Sequence, residues 1–285
     1  MLAILRVMNN TSPEPLAQAG ALTVGTGVCV AESQSGFQRI RILGHDVDVV
    51  TPDEVLDWIQ FRARGRQRAI LANHNLHSLY LIDRDEAMAR FYDMADLVQI
   101  DSMPMVRFAK LCGKPVGPQH RSTYLDWRGR FWDMTQRYGL RVFYLGGEPG
   151  VATGAIRMME MAYPDLSFSG RDGFFDVTRE GEENQSVLST IRRFAPDILM
   201  VGMGMPRQEA WIAENYRDLP PCVVMPVGAA FDYEVGVQKA APRWMGEWGI
   251  EWLYRLCHDP KRLASRYLYE PWFLMGPALK DLFRR

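Results

Sequence analysis

The sequence predicts a doubly wound α/β domain built on a mostly parallel sheet, followed by a helical C-terminal appendage. Three observations predict it. The 285 residues are 47% hydrophobic and 24% charged, enough to bury a sizeable core in one large domain or two small ones. Short, almost continuously apolar runs recur along the chain, as strands covered on both faces of a parallel sheet require. Helical stretches separate them, and that alternation gives a doubly wound sheet whose ligands sit outside the carboxyl ends of the strands.

The elements follow in order. Residues 1–37 mix Pro, Ser, Thr, Gly and Ala without sustained periodicity and are expected to form a poorly ordered leader. "QRIRILG" and "HDVDVV" alternate as a strand pair around Gly44. "TPDEVLDWIQFRARG" carries a full helix signature, with Thr51 as N-cap, Pro52 at the first helical position, Glu54 closing a capping box and Gly65 ending the helix. "RAILAN", "DLVQID", "RVFYLGG", "DILMVGMG" and "CVVMPVGA" then read as short buried strands. "MPMVRFAKLCG", "GVATGAIRMMEMAYP" and "RQEAWIAENYR" read as helices among them. Residues 38–240 thus form the core, a Rossmann-like arrangement. Residues 241–285 form the appendage, which holds Trp244, Trp248, Trp252 and Trp272 among interspersed Arg and Lys.

Composition narrows the function classes. A net charge of −1 offers no basic footprint for nucleic acid. Cys29, Cys112, Cys222 and Cys257 lack C-x-x-C spacing, so neither a zinc site nor a disulfide framework is expected, and a reducing cytosol is the plain reading. No apolar run approaches the roughly 20 residues that span a bilayer. Aromatic residues mixed with Lys and Arg do suit a membrane surface, which makes the appendage as a whole the expected contact. Within it, Trp244, Trp248 and Trp252 fall at i, i+4 and i+8 and are expected to form the buried stripe of an ordinary helix.

Chemistry is expected at the strand ends. Gly146, Gly147, Gly202, Gly204 and Gly228 stand there, with Asp232 shortly beyond. Glycines either make tight strand-to-helix turns or let a phosphate or sugar approach backbone N–H groups beside a helix N-terminus. In "VGMGMPRQEAW", Gln208 and Glu209 open the helix after such a turn. Arg207 sits where a dinucleotide fingerprint needs a small residue, which disfavours NAD. Asp101 closes "VQID" and either caps the following helix or acts as a general base. Asp46 with Asp48 and Asp83 with Asp85 have a metal-compatible spacing, yet one pair alternates along a strand and the other opens a helix. His74 and His77 are spaced to share a helix face as a local pair, and the arginines of "RARGRQR" read as a solvated helix terminus. No cofactor or metal is expected.

Several strings together resemble one family. "DILMVGMGMPRQEAWIAEN", "VGAAFDYEVGVQKAAPRWMGEWGIEWLYRL", "DPKRLASRYL", "FYLGGEPGV" and "GRDGFF" are similar to the WecG/TagA/CpsF glycosyltransferases, family 26, from about Gln38 to about Tyr267. The resemblance implies an inverting, metal-independent transfer from a nucleotide-diphosphate sugar, a UDP-sugar, to a polyprenyl-diphosphate-linked saccharide. The implied enzyme is cytoplasmic and peripheral at the inner face of the cytoplasmic membrane, and a homo-oligomer is allowed. It further implies Asp101 as the catalytic aspartate, with Asn73, Gln208, Glu209 and Arg121 (five residues before Asp126) in the donor site. Arg255, Arg262 and Arg266 of the tail are implied to approach that site. Ser102 and Pro104 stand where the family usually has glycines, and Tyr124 replaces another, so bulk near the base is expected to alter which sugar fits. Two rival readings are a nucleotide-dependent oxidoreductase on the same fold and a non-catalytic docking protein of a polysaccharide assembly complex.

Overall fold

The computed structural model describes residues 36–231, 245 and 248–283, so all but the last two residues of the expected leader fall outside it. β1 (Arg39–Ile42) and β2 (His45–Asp48) form the expected antiparallel hairpin. Leu43 and Gly44 make its turn at φ 52° and 88°, the left-handed pair that matches the twist of two strands. Leu43 is held in that unfavourable region by burial and by its N–H, which donates to Asp281 at 2.6 Å. Asp48 is fully buried. It receives both Nε and Nη2 of Arg39 and the N–H of Val98, so its carboxylate anchors the hairpin to the main sheet.

The main sheet has six parallel strands: β3 (Ala69–His74), β4 (Leu97–Ile100), β5 (Val142–Gly146), β6 (Phe168–Arg171), β7 (Ile198–Gly202) and β8 (Val223–Pro226). Their spatial order is β4-β3-β8-β7-β5-β6. Ile70, Ala72, Val98, Ile100, Phe143 and Leu145 face one apolar layer. Their neighbours Ala69, Leu71, Leu97, Val142 and Tyr144 face the other, as the two-residue period of a strand dictates. Both faces being covered explains the continuous apolar runs. β6 is the exception: "FSGR" is half-buried throughout and lies on an edge, so it carries no apolar run and is invisible to a pattern search.

Helices cover the sheet: α1 (Pro52–Arg64), α2 (Leu76–Ile82), α3 (Glu86–Asp93), α4 (Met103–Leu111), α5 (Tyr124–Arg137), α6 (Val151–Ala162), α7 (Glu182–Phe194) and α8 (Arg207–Asn215). The capping box of Thr51 and Glu54 on α1 forms as its sequence predicts. From β3 the chain steps out to β4, crosses to β5 and β6, and returns through β7 to lay β8 beside β3. β7 leads inward to β8 while its neighbour β5 leads outward to β6, so strand order reverses at the β7/β5 boundary, and the crevice outside such a point is a usual ligand position of these sheets.

The tail is helical in short pieces: Glu251–His258, Pro260–Ala264, a π-helical turn Ser265–Tyr269, Glu270–Phe273 and Met275–Phe283. It folds back on the core. The Glu270 carboxylate meets His77 of α2 at 2.6 Å, and the Arg84 guanidinium lies over both Tyr80 and Phe273. Leu263 and Leu274 are buried.

The expected Trp stripe is not buried. Trp248 and Trp252 are 67% and 39% exposed, while Trp244 lies outside the described residues. The tail's short segments seat through Leu263, Leu274 and Glu270, which turns these indoles outward. Leu268, Tyr269, Trp272, Phe273, Met275, Leu279 and Phe283 are exposed as well, so most of the large exposed apolar side chains among the described residues belong to the tail. No helix of the described residues is long and apolar enough to cross a membrane.

Candidate active site

Asp101 sits at the carboxyl end of β4. Its N–H donates to His74 O at 2.9 Å, extending the β3–β4 ladder by one residue before the chain turns into α4. Ser102, not Asp101, occupies the N-cap position of α4, and its own side chain makes no cap hydrogen bond. The Asp101 carboxylate Oδ2 lies 3.2 Å from Asn75 Nδ2 and 3.5 Å from Asn73 Nδ2, the latter at the outer limit of a hydrogen bond. Arg266, carried by the π-helical turn of the tail, comes near enough for Asp101 to act on its charge. Burial lowers the Arg266 pKa, and the Tyr267, Asp101 and Glu270 groups oppose that shift. Arg255 acts on it with like charge. The side chain of Arg262 and the whole of Asp232 lie outside the described residues.

On the other flank of β4, Arg121 bridges to Ile100, and its Nη2 pairs with Asp126 at 2.7 Å. Asp126 also accepts from the Thr123 N–H and hydroxyl at the start of α5. Arg121 thus lies beside the strand that carries Asp101, with its charge already matched. Tyr124 turns the other way. Its hydroxyl accepts from Trp132 Nε1 at 3.0 Å and its ring meets Trp127 edge-on, so its bulk is taken up by the core layer.

The glycine turns gather at the other half of the same sheet edge. Gly147, Glu148, Gly173, Phe174, Gly202, Met203, Gly204, Arg207, Gly228 and Ala229 line a cleft of about 220 Å³. Close approach is what demands glycine here: a Cβ on Gly146 would stand 2.4 Å from Gly202 O, and one on Gly202 would stand 2.6 Å from Gly228 O. The amides expected to greet a ligand are engaged inside the protein. Gly147 N–H donates to Gly202 O at 3.0 Å, while Gly204 N–H and Gly228 N–H both donate to Gln208 Oε1 at 3.2 Å. Gln208 therefore clamps the turns after β7 and β8 together. The cation that lines the cleft is Arg207, whose Nη2 holds the carbonyls of Gly173 and Phe175, and whose Nε is buried without a partner.

Between the two halves lies a buried polar group. Gln208 Nε2 donates to Glu209 Oε1 at 2.8 Å, leaving Oε2 buried without a partner, and burial pushes the Glu209 carboxyl up to about 7. Tyr92 of α3 donates to Asn73 O at 2.8 Å and stacks on His74 at 4.0 Å. Burial holds His74 down at about 3, so its imidazole is neutral, with Nδ1 3.0 Å from Ser78 Oγ.

The expected histidine pair does not share a helix face. His74 ends β3, Asn75 caps α2 and His77 lies inside that helix, because the strand continues one residue beyond the expected "RAILAN". Asp85 caps α3 and Asp83 pairs with His45, so that D-x-D stretch is structural. Arg68 does more than face solvent: it holds the carbonyls of Tyr216, Arg217 and Leu219. Asn75, Tyr92 and the cleft-facing role of Arg207 were missed from sequence. Asn75 carried a local signal, since an Asn opening "NLHS" reads as an N-cap, but nothing local tied it to Asp101.

A family model described as the glycosyl transferase WecG/TagA/CpsF family matches residues 40–285. Two proteins of Staphylococcus aureus, from strains MW2 and NCTC 8325 / PS 47, are each named N-acetylglucosaminyldiphosphoundecaprenol N-acetyl-beta-D-mannosaminyltransferase. Each is 26% identical to this chain over 235 residues, which cover 82% of this chain and 90% of the relative.

Proposed function

The chain belongs to the WecG/TagA/CpsF family of glycosyl transferases, and from that premise we propose that it moves a sugar from a UDP-sugar donor onto a polyprenyl-diphosphate-linked saccharide during cell-envelope or exopolysaccharide assembly. One observation carries this reading. The Asp101 carboxylate and the glycine cleft occupy the same carboxyl edge of one parallel sheet, on either side of the β3/β8 boundary. At the usual strand spacing, Asp101 on β4 is about 10 Å from the end of β8 and about 19 Å from the end of β5. That span accommodates an extended nucleotide-diphosphate sugar laid along the edge, with its anomeric carbon toward Asp101 and its nucleoside toward β5 and β6.

In the proposed scheme the acceptor hydroxyl passes its proton to Asp101 as its oxygen bonds to the anomeric carbon. The bond from that carbon to the diphosphate breaks on the opposite face, and this single displacement inverts the centre. General-base help of this kind is worth roughly 10²–10⁴-fold, so the rest must come from alignment and from stabilising the departing diphosphate. With the Gly147, Gly204 and Gly228 amides engaged internally, Arg207 at the cleft and Arg266 beside Asp101 are the groups that meet that charge, in place of a divalent metal. The exposed Trp, Leu, Tyr and Phe side chains of the tail lie in a membrane interface, where they bring Arg266 and Asp101 to a lipid-linked acceptor.

The test is transfer from labelled UDP-N-acetylmannosamine, UDP-glucose, UDP-glucuronate and GDP-mannose to a polyprenyl-diphosphate-linked N-acetylglucosamine. Turnover of one UDP-sugar, lost in Asp101→Asn, is the expected result. Vesicle binding without turnover of any donor would favour the docking role instead.

A further inference from the structure

We propose that Asn75 is a positioning residue for this reaction, one that holds the Asp101 carboxylate ionised and fixed in direction. The inference rests on Asp101 as the base. Asn75 is 8% exposed and caps α2, with its Oδ1 accepting from the N–H groups of His77 and Ser78, both at 3.0 Å. Two backbone donors on one end of the amide settle which end is oxygen, since the flipped amide would set its NH₂ against two N–H groups. The NH₂ end must therefore face Asp101, 3.2 Å away.

The cap is itself locked. Asn75 N–H donates to Ser78 Oγ at 2.9 Å, and that hydroxyl donates to Asn75 O at 2.8 Å. The orientation of the base thus runs back into a buried helical turn rather than into a mobile side chain. Asn73 reaches the same oxygen from β3 at the longer distance of 3.5 Å.

An amide donor stabilises the charged form of a carboxylate and so keeps it able to receive the hydroxyl proton. It also fixes the direction from which the acceptor must come, which is where much of the rate of a bimolecular displacement is decided. Arg266 from the tail and Tyr92 from α3 are charged or titratable groups that act with Asp101; Arg121, beside β4, is paired with Asp126.

Two substitutions separate this role from capping, because Asp and Ser both cap helices well. Asn75→Asp keeps the two acceptor bonds but sets a second carboxylate against Asp101. The acid limb of its kcat/KM profile is expected to move up by about one pH unit or more, as a like charge dictates. Asn75→Ser removes the donor and is expected to lower kcat roughly ten- to a hundredfold with little change in donor KM, the range for losing a hydrogen bond to a charged group. Both are expected to melt near the wild-type temperature.

Wild-type kcat and an unmoved acid limb in both variants, alongside an inactive Asp101→Asn enzyme, would overturn the role of Asn75 while leaving the base in place. A lower kcat in Asn75→Asp without any movement of the limb would mark a merely structural residue and overturn it too. Transfer that survives Asp101→Asn would remove the base assignment, and the role of Asn75 with it.

Discussion

The two halves of the sheet edge are built on opposite principles. At the ends of β5 and β7, backbone approaches backbone so closely that Gly146 and Gly202 are obligatory, and the amides of Gly204 and Gly228 are satisfied through Gln208. At the ends of β3 and β4, side chains do the work: Asn73 and Asn75 converge on Asp101, and the tail brings Arg266 in from far along the chain. The first half is shaped by what must be absent, the second by what must be present. Damage to the first should therefore register as lost stability, and damage to the second as lost chemistry on an intact fold.

The sharpest break would come from Asp101→Asn. It is expected to lower kcat/KM by roughly 10²–10⁴-fold with the melting temperature nearly unchanged, read by transfer assay and calorimetry on the same sample. A large fall in melting temperature would place Asp101 with the structural half.

Gly146→Ala should do the reverse. The added Cβ stands 2.4 Å from Gly202 O, and β5 cannot move from β7 without tearing the sheet. A loss of about 3 kcal/mol, or roughly 6–12 °C in melting temperature, is expected. A wild-type melt would show that the two strands yield more easily than the contact implies.

Glu209, between the halves, gives a pH-dependent test. Its carboxyl is raised from 4.5 to about 7 by burial, so across that window the folded protein keeps a proton that the unfolded chain has released. Stability is therefore expected to fall as pH rises from 4.5 to 7 and then level off, by on the order of 3 kcal/mol. Glu209→Gln can keep the bond from Gln208 and has no proton to lose. It should flatten this slope in urea titrations at pH 5 and pH 8. An unchanged slope would mean that Glu209 titrates near its ordinary value.

The smallest effect belongs to the tail, which seats against the carboxylate half through His77 and Glu270. Trp272 is 68% exposed and Leu268 is 60% exposed. Trp272→Ser with Leu268→Ser is expected to weaken binding to anionic vesicles several-fold, by flotation assay, without moving the melting temperature. Full retention on vesicles would separate these side chains from membrane contact.

How far the sequence reached differs between the same two halves. The glycine turns were legible because they punctuate apolar runs, and Asp101 because it closes one; both are local patterns. The partners of Asp101 were harder. Asn73 was reached through likeness to a family, and Asn75 was passed over, since its distinguishing bond crosses from β3 to β4. β6 escaped because an edge strand has only one paired side and no need of a continuous apolar run. The outward Trp248 and Trp252 were misjudged because helical spacing names a face but not what that face meets.

By itself the sequence determined the alternation of buried strands with helices, the caps of α1 and the points where the backbone needs glycine, because these depend on residues within a few positions of one another. The tertiary structure alone decided which strand ends stand side by side, that Gln208 closes the glycine turns on themselves, that an N-cap 26 residues away steadies the Asp101 carboxylate, and that the tail turns its indoles outward. Those relations arise from strand order and from the docking of distant segments, and parallel strands joined by crossover helices leave no trace of their pairing in any short window of residues.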